Sequence, residues 1–134
     1  MPRRRKQKDY AFKPFEKEPT SADNHHIRIT RNMMESKAWK ELSVHSKVLY
    51  MELKARYTGS NENDLNLTYS EGEKLMNRLT FRKSIDQLIE LGFIRMIQQS
   101  WTTRECNIYG LHSMWQLYGT KNFVVKPRIK RSKN

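Results

Sequence analysis

Four polar side chains between residues 80 and 87 carry groups that can form hydrogen bonds with the edges of nucleic-acid bases. These residues are Thr80, Arg82, Lys83 and Gln87. A glutamine amide can make paired hydrogen bonds with adenine, and an arginine or lysine can contact guanine. Each good pair discriminates against the wrong base by about 1–3 kcal/mol. The residue types therefore indicate contacts with base edges, provided that one helix presents all four side chains on the same side.

The apolar spacing predicts such a helix. Its apolar residues recur every three or four positions, at Phe81, Ile85, Leu88 and Ile89. This pattern predicts a helix that begins at Thr80 and buries one side, and Gly92 can end it in a left-handed conformation. Asp86 falls on the polar side, where it can accept a hydrogen bond from cytosine or pair with Arg82 or Lys83.

A shorter helix is predicted just before this one. Ser70 and Glu73 have the spacing of a capping box, in which each side chain bonds a backbone N–H of the other residue. A turn at residues 77–78 then gives a helix-turn-helix arrangement. Lys74 and Arg78 lie around this turn, so we expect them to contact phosphates rather than bases.

A hairpin is predicted after the second helix. Residues 93–99 and 107–111 are strand candidates, and residues 100–105 form a polar loop between them. Such a hairpin is the wing of a winged-helix domain. We expect Arg104 at its tip to enter the minor groove. Trp101 can lie along the sugar-phosphate backbone, fold back over the core, or form a dimer contact.

The remaining elements are predicted from local patterns. Alternation indicates short strands at residues 27–30 and 65–68. Asn32 is expected to cap a short helix and Ser43 a longer one that runs to about residue 57. A last short helix is predicted at residues 113–118. Together these elements give an α+β fold, a winged helix-turn-helix with a three-helix core.

The net charge of +12 is concentrated at the two ends of the chain. Residues 1–20 carry a net charge of +4 and residues 121–134 carry +6, whereas residues 21–120 carry only +2. A nearly neutral domain between two cationic segments suits a polyanionic partner. We therefore predict a basic N-terminal arm (residues 1–24), a winged-helix domain (residues 25–120) and a basic C-terminal tail (residues 121–134).

Both tails are expected to track phosphates or enter the minor groove. The residues that we expect to make these contacts are Arg3, Arg4, Arg5, Lys126, Arg128, Lys130 and Arg131. Each phosphate that they neutralise adds to the salt dependence of binding. Contacts with RNA or with an acidic protein are the alternative roles of these tails.

Several classes of function are disfavoured. Cys106 is the only cysteine, and the pair His25-His26 has no third metal ligand nearby in sequence. The sequence contains no recognisable catalytic motif, so we expect neither an enzyme nor a cofactor. No apolar run is long enough to span a membrane and no secretory signal is apparent. These features predict a soluble, cytoplasmic protein.

The middle of the chain resembles a known family. The residues that carry the resemblance are Ala38-Trp39, Leu42-Ser43, Leu49-Tyr50, Leu53-Lys54, Arg56-Tyr57, Leu67-Thr68-Tyr69, Thr80-Phe81, Leu88 and Leu91-Gly92-Phe93-Ile94. They are similar to winged-helix proteins of bacterial mobile elements, including the first domains of plasmid RepA-type and DnaD-like initiators and small stand-alone proteins of phages and integrative elements. The resemblance covers about residues 26–118 and implies binding of double-stranded DNA in replication or transcription.

A second copy of the chain and other proteins are also expected as partners. A single small module buries limited surface on DNA, and two half-sites raise its specificity. Binding as a homodimer is therefore compatible with the sequence. A replication or transcription protein is another candidate partner. The alternative functions are a protein-interaction module that recruits such machinery, and a general binder of RNA or ribosomes in which the tails dominate.

Overall fold

The computed structural model describes residues 26–100 and 107–129. Within these ranges the chain forms an α+β fold, with five α-helices, one 3-10 helix and a sheet of three antiparallel strands. In chain order the elements are α1 (Arg31–Glu35), α2 (Lys37–Glu41), α3 (Val44–Ala55), β1 (Leu65–Asn66), α4 (Tyr69–Glu73), α5 (Arg78–Glu90), β2 (Ile94–Gln98), β3 (Ile108–Leu111) and a 3-10 helix (Met114–Leu117). This order is compatible with a winged helix.

The first three helices begin at hydroxyl caps. The side chains of Thr30, Ser36 and Ser43 each accept a hydrogen bond from the backbone N–H three residues later, which satisfies an N–H that the helix itself cannot. The prediction of Ser43 as a cap is confirmed. The predicted strand at residues 27–30 is wrong, because these residues pair with no strand and lead into α1. Asn32 lies inside α1 and does not cap it.

Helices α4 and α5 start earlier than the sequence predicted. Thr68 and Glu71 form the capping box of α4, two residues before the predicted pair. Asn77 caps α5 by accepting the Thr80 N–H at 2.8 Å, so α5 begins at Arg78 rather than at Thr80. The shift lengthens α5 at the end that faces the turn between α4 and α5.

Glycine ends α5 as predicted. Gly92 has a φ of +83°, and the Phe93 N–H donates to the Leu88 carbonyl across the helix end. An L side chain rarely adopts this φ, so glycine is favoured there. The chain then enters β2, which pairs with β3, and β3 pairs on its other edge with β1. The predicted short strand near residue 65, both strands of the hairpin and the last short helix are all present.

The core lies between α3, α5 and the sheet. Its aromatic centre is formed by Phe93, which packs edge-on against Trp39 and Tyr50 and stacks on Trp115 with ring centroids 5.8 Å apart. Such pairs add to the stabilisation from burial alone. This packing holds α5 with its apolar side inward. Across the ranges that the structure describes, no helix is long and apolar enough to cross a membrane.

Candidate nucleic-acid interface

The exposed half of α5 carries a group of cations. Arg78, Arg82 and Lys83 are exposed on α5, and Lys74 is exposed at the end of α4. We call these four residues the α5 basic surface. The chain has no Asp or Glu from residue 74 to residue 85, so the first two turns of α5 present positive charge alone. Four of the predicted contact residues are thus brought together and left accessible to a partner.

The first turn of α5 also presents groups that the sequence analysis did not consider. The guanidinium of Arg78 lies 5.0 Å from the ring centre of Tyr69, which holds this cation beside the start of the helix. Leu79 is 60% exposed on the outer side of the same turn. An apolar side chain in this position can contact a thymine methyl group. Starting the predicted helix at Thr80 concealed Leu79, because the residue then fell in the turn.

Thr80 is less accessible than the cations around it. Its side chain is half-buried, and its backbone N–H is already bonded to the Asn77 side chain. The remaining backbone N–H groups of the first turn of α5 have no partner within the helix and point along the helix axis. Together with the helix dipole they favour an anion at this end.

The expected role of Gln87 as a base reader needs correction. Its Oε1 accepts hydrogen bonds from the Ser43 N–H at 2.9 Å and from the Ser46 hydroxyl at 2.6 Å. Its Nε2 donates to the Glu41 carbonyl at 3.1 Å. The carbonyl oxygen has two lone pairs and both are used, so the paired contact with adenine is not available. Gln87 instead joins α5 to the junction between α2 and α3.

The expectations for Asp86 and Arg128 also need correction. The Asp86 carboxylate pairs with the guanidinium of Arg128 through two hydrogen bonds, of 2.8 and 3.0 Å. Only 13% of the Arg128 side chain and 19% of the Asp86 side chain are exposed. The hydrogen bonds that Arg128 donates to the Asp86 carboxylate raise the pKa of Arg128 above its ordinary value. Asp86 therefore pairs with neither Arg82 nor Lys83, and Arg128 is not a free phosphate contact.

The other predicted contacts divide into two groups. Lys126 is exposed, as a phosphate contact requires. The rest lie outside the described residues: Trp101, Arg104, Arg3, Arg4, Arg5, Lys130 and Arg131. Among the residues that the structure does describe, no group of three or more His, Cys, Asp or Glu side chains is placed to hold a metal ion.

The α5 basic surface has a simple geometry. It consists of one capped helix of 13 residues with cations on its exposed half, held to the core by its apolar side. A second helix and a pair of antiparallel strands flank it. Comparison of the chain with protein-family models, curated proteins and solved structures finds no significant match.

Proposed function

We propose that this chain is a winged-helix protein that binds double-stranded DNA, with α5 in the major groove. The observation that carries the proposal is the α5 basic surface. Through its first two turns the exposed half of α5 has cations and no acid. A major groove admits one α-helix, and the N-terminal half of that helix meets the base edges.

The arrangement of elements supports the same proposal. α4 and α5 are separated by a short turn, and β2 follows α5 after Gly92. From α3 onward the chain order is helix, strand, helix, helix, strand, strand, which is the order expected of a winged helix. In the sheet, β3 lies between β1 and β2. In this interpretation the connection between β2 and β3 is the wing and contacts the DNA beside the major groove.

The proposed contacts divide into positioning and reading. Lys74 and Arg78, near the start of α5, bind phosphates and set the orientation of the helix. Arg82 and Lys83 reach base edges, where guanine is the preferred partner of each. Leu79 adds an apolar contact that a thymine methyl would satisfy. This set replaces Gln87, whose amide is engaged within the protein.

The biological role is proposed from the resemblance described above. A small winged-helix protein of a bacterial phage, plasmid or integrative element would act at a DNA site, in the control of replication or of transcription. In such a role the protein would work in the bacterial cytoplasm, at the nucleoid. Recognition of a specific DNA sequence is the property that distinguishes this role from general binding of nucleic acid.

Selection of bound duplexes from a random library tests the proposal. We expect the full chain to enrich a defined site, and to bind that site at least about tenfold more tightly than random duplex of the same length. Lys83→Ala should reduce this preference by about 1–3 kcal/mol, the value of one good contact. Arg31→Ala is the matched control, since it removes an exposed cation of α1. Equal affinity of the wild type for both duplexes would contradict sequence reading.

A further inference from the structure

The last described part of the chain folds back onto the domain. We call residues 118–129 the C-terminal segment. The Tyr118 hydroxyl donates to the Glu41 carboxylate at the end of α2. Arg128 pairs with Asp86 on α5. The Ile129 N–H donates to Gln99 Oε1 at 3.0 Å, and the Ile129 carbonyl accepts from Gln99 Nε2 at 2.7 Å. The segment is thus fixed at both ends.

These anchors lie on different sides of α5. The first anchor is the bond from Tyr118 to the Glu41 carboxylate. The backbone carbonyl of Glu41 also accepts a hydrogen bond from Gln87, so this anchor is on the α2 side of α5. Asp86 lies one turn beyond Arg82, on the same side of α5, and Gln99 directly follows β2. The segment therefore passes from the α2 side of α5 to the β2 side, and it ends between α5 and the strand pair, next to the proposed DNA-binding surface.

Polar contacts rather than apolar packing hold the end of this segment. Val124 is 70% exposed and Ile129 is 62% exposed, so neither buries much apolar surface. The charged anchor at this end is the Asp86–Arg128 pair, and its two parallel hydrogen bonds are of a kind that a phosphate can also accept. A competing anion can therefore open the segment without disturbing the core.

A phosphate is the natural competitor of Asp86. A guanidinium binds a carboxylate or a phosphate through the same pair of parallel hydrogen bonds, and Arg128 cannot bind both in this way at once. We propose that the C-terminal segment is a clasp: Arg128 is held by Asp86 in the free protein and transfers to a backbone phosphate when DNA binds. The inference rests on the proposed function and makes Asp86 an internal competitor of DNA.

Affinity measurements on full-length variants test the clasp. Asp86→Asn releases Arg128, and Glu90→Gln is the matched control, because it makes the same change of charge at an exposed position of α5. We expect Asp86→Asn to increase the affinity for duplex DNA at least about fivefold more than Glu90→Gln does, since about fivefold is the upper value for exposed ion pairs and this pair is largely covered. The slope of log K against log salt should change by much less than about 0.9, the value of one phosphate contact, because the clasp places Arg128 on a phosphate in both complexes. A slope steeper by about 0.9 in Asp86→Asn would mean that Arg128 stays on Asp86 in the wild-type complex, which would overturn the transfer.

The double variant identifies the group responsible. Arg128→Gln should lower the affinity more in the Asp86→Asn background than in the wild type, because Arg128 is free only in the former. If Arg128→Gln has the same effect in both backgrounds, Asp86 does not sequester Arg128 and the clasp is wrong.

Hydrogen exchange gives a readout that needs no DNA. The Ile129 amide, bonded to Gln99, should exchange faster in Asp86→Asn and in Arg128→Gln than in Glu90→Gln or the wild type. Unchanged exchange in both variants would overturn the clasp even if all proteins bind DNA. Equal affinities of Asp86→Asn and Glu90→Gln would overturn the clasp alone. Failure of the wild type to bind any duplex would instead refute the proposed function, and the competition with it.

Discussion

Gln87→Ala separates a structural role of this residue from a role in reading DNA. In the structure the amide of Gln87 bonds the Ser43 N–H, the Ser46 hydroxyl and the Glu41 carbonyl. Alanine removes all three bonds and leaves the shape of α5 unchanged. We therefore expect a loss of stability, with no specific loss of base discrimination.

The size of this destabilisation follows from the burial of each partner. The Ser43 N–H and the Glu41 carbonyl belong to exposed residues, so water can replace Gln87 at a cost of about 0.5 kcal/mol each. Ser46 is fully buried, and its hydroxyl keeps only the contact with the Ser43 hydroxyl at 3.0 Å. Leaving this group under-satisfied costs about 1 kcal/mol more. The total is about 2 kcal/mol, or about 8 °C in melting temperature for a domain of this size.

Urea and thermal unfolding of the variant measure this destabilisation. Gln98→Ala is the matched control, because Gln98 is an exposed glutamine of β2, and it should change stability by less than about 0.5 kcal/mol. DNA affinity is then compared at a temperature at which all proteins are folded. Unchanged stability of Gln87→Ala, accompanied by an about tenfold decrease in base discrimination, would refute the assignment of Gln87 to the α2–α3 junction.

Three further changes test the packing around α4 and the sheet. Gly72→Ala should destabilise the fold by about 2–3 kcal/mol in urea unfolding, because the added Cβ would lie 2.3 Å from the buried ring of Phe81. Thr68→Ala removes the bond that the Thr68 hydroxyl accepts from the Glu71 N–H in the α4 capping box, and it should cost about 1 kcal/mol in the same assay. The pKa of His112 is lowered by burial and by the nearby charge of Arg95. The folded state therefore binds fewer protons, so stability should fall as the pH drops below about 6.5, and His112→Gln should remove this part of the fall.

Each of these predictions has a distinct control or contrary outcome. Ser70→Ala changes the alternative capping residue and should leave stability nearly unchanged. A larger destabilisation by Ser70→Ala than by Thr68→Ala would mean that Thr68 is not the cap of α4. Gly72→Ala with wild-type stability would mean that α4 and α5 are farther apart than described. A pH profile of stability that is identical in wild type and His112→Gln would contradict the burial of this imidazole.

The sequence predicted the main elements because their signals are local. The cap at Ser43, the apolar spacing of α5 and the stop at Gly92 each depend on residues within a few positions of one another. The boundaries of α4 were less determined, since the segment Thr-Tyr-Ser-Glu-Gly-Glu (68–73) contains two capping frames with the same spacing. The frame that forms places Gly72 against the Phe81 ring and Glu71 2.5 Å from Arg56 at the end of α3. Both are tertiary contacts that no local pattern reveals.

The positive charge of the site was predicted from the sequence, but the hydrogen bonds between α5 and distant parts of the chain were not. The exposed cations of α5 followed from composition and helical spacing. The pairing of Asp86 with Arg128 spans 42 residues, and that of Gln87 with Ser43 spans 44. Neither pair has a periodic signature in the sequence. Asp86 and Gln87 were therefore predicted to be free polar groups on the outer side of a helix. The last described residues were predicted as a basic tail for the same reason, although contacts with the domain continue to Ile129.

The salt dependence of DNA binding tests the central claim most directly. The full chain and a variant with alanine at all four positions of the α5 basic surface (Lys74, Arg78, Arg82 and Lys83) are titrated with one duplex between about 50 and 200 mM salt. Lys74 and Arg78 are assigned to phosphates, and each neutralised phosphate contributes roughly 0.9 to the slope of log K against log salt. The slope should therefore be smaller in the variant by about 2. Equal slopes and equal affinities for the two proteins would contradict the assignment of α5 to the DNA.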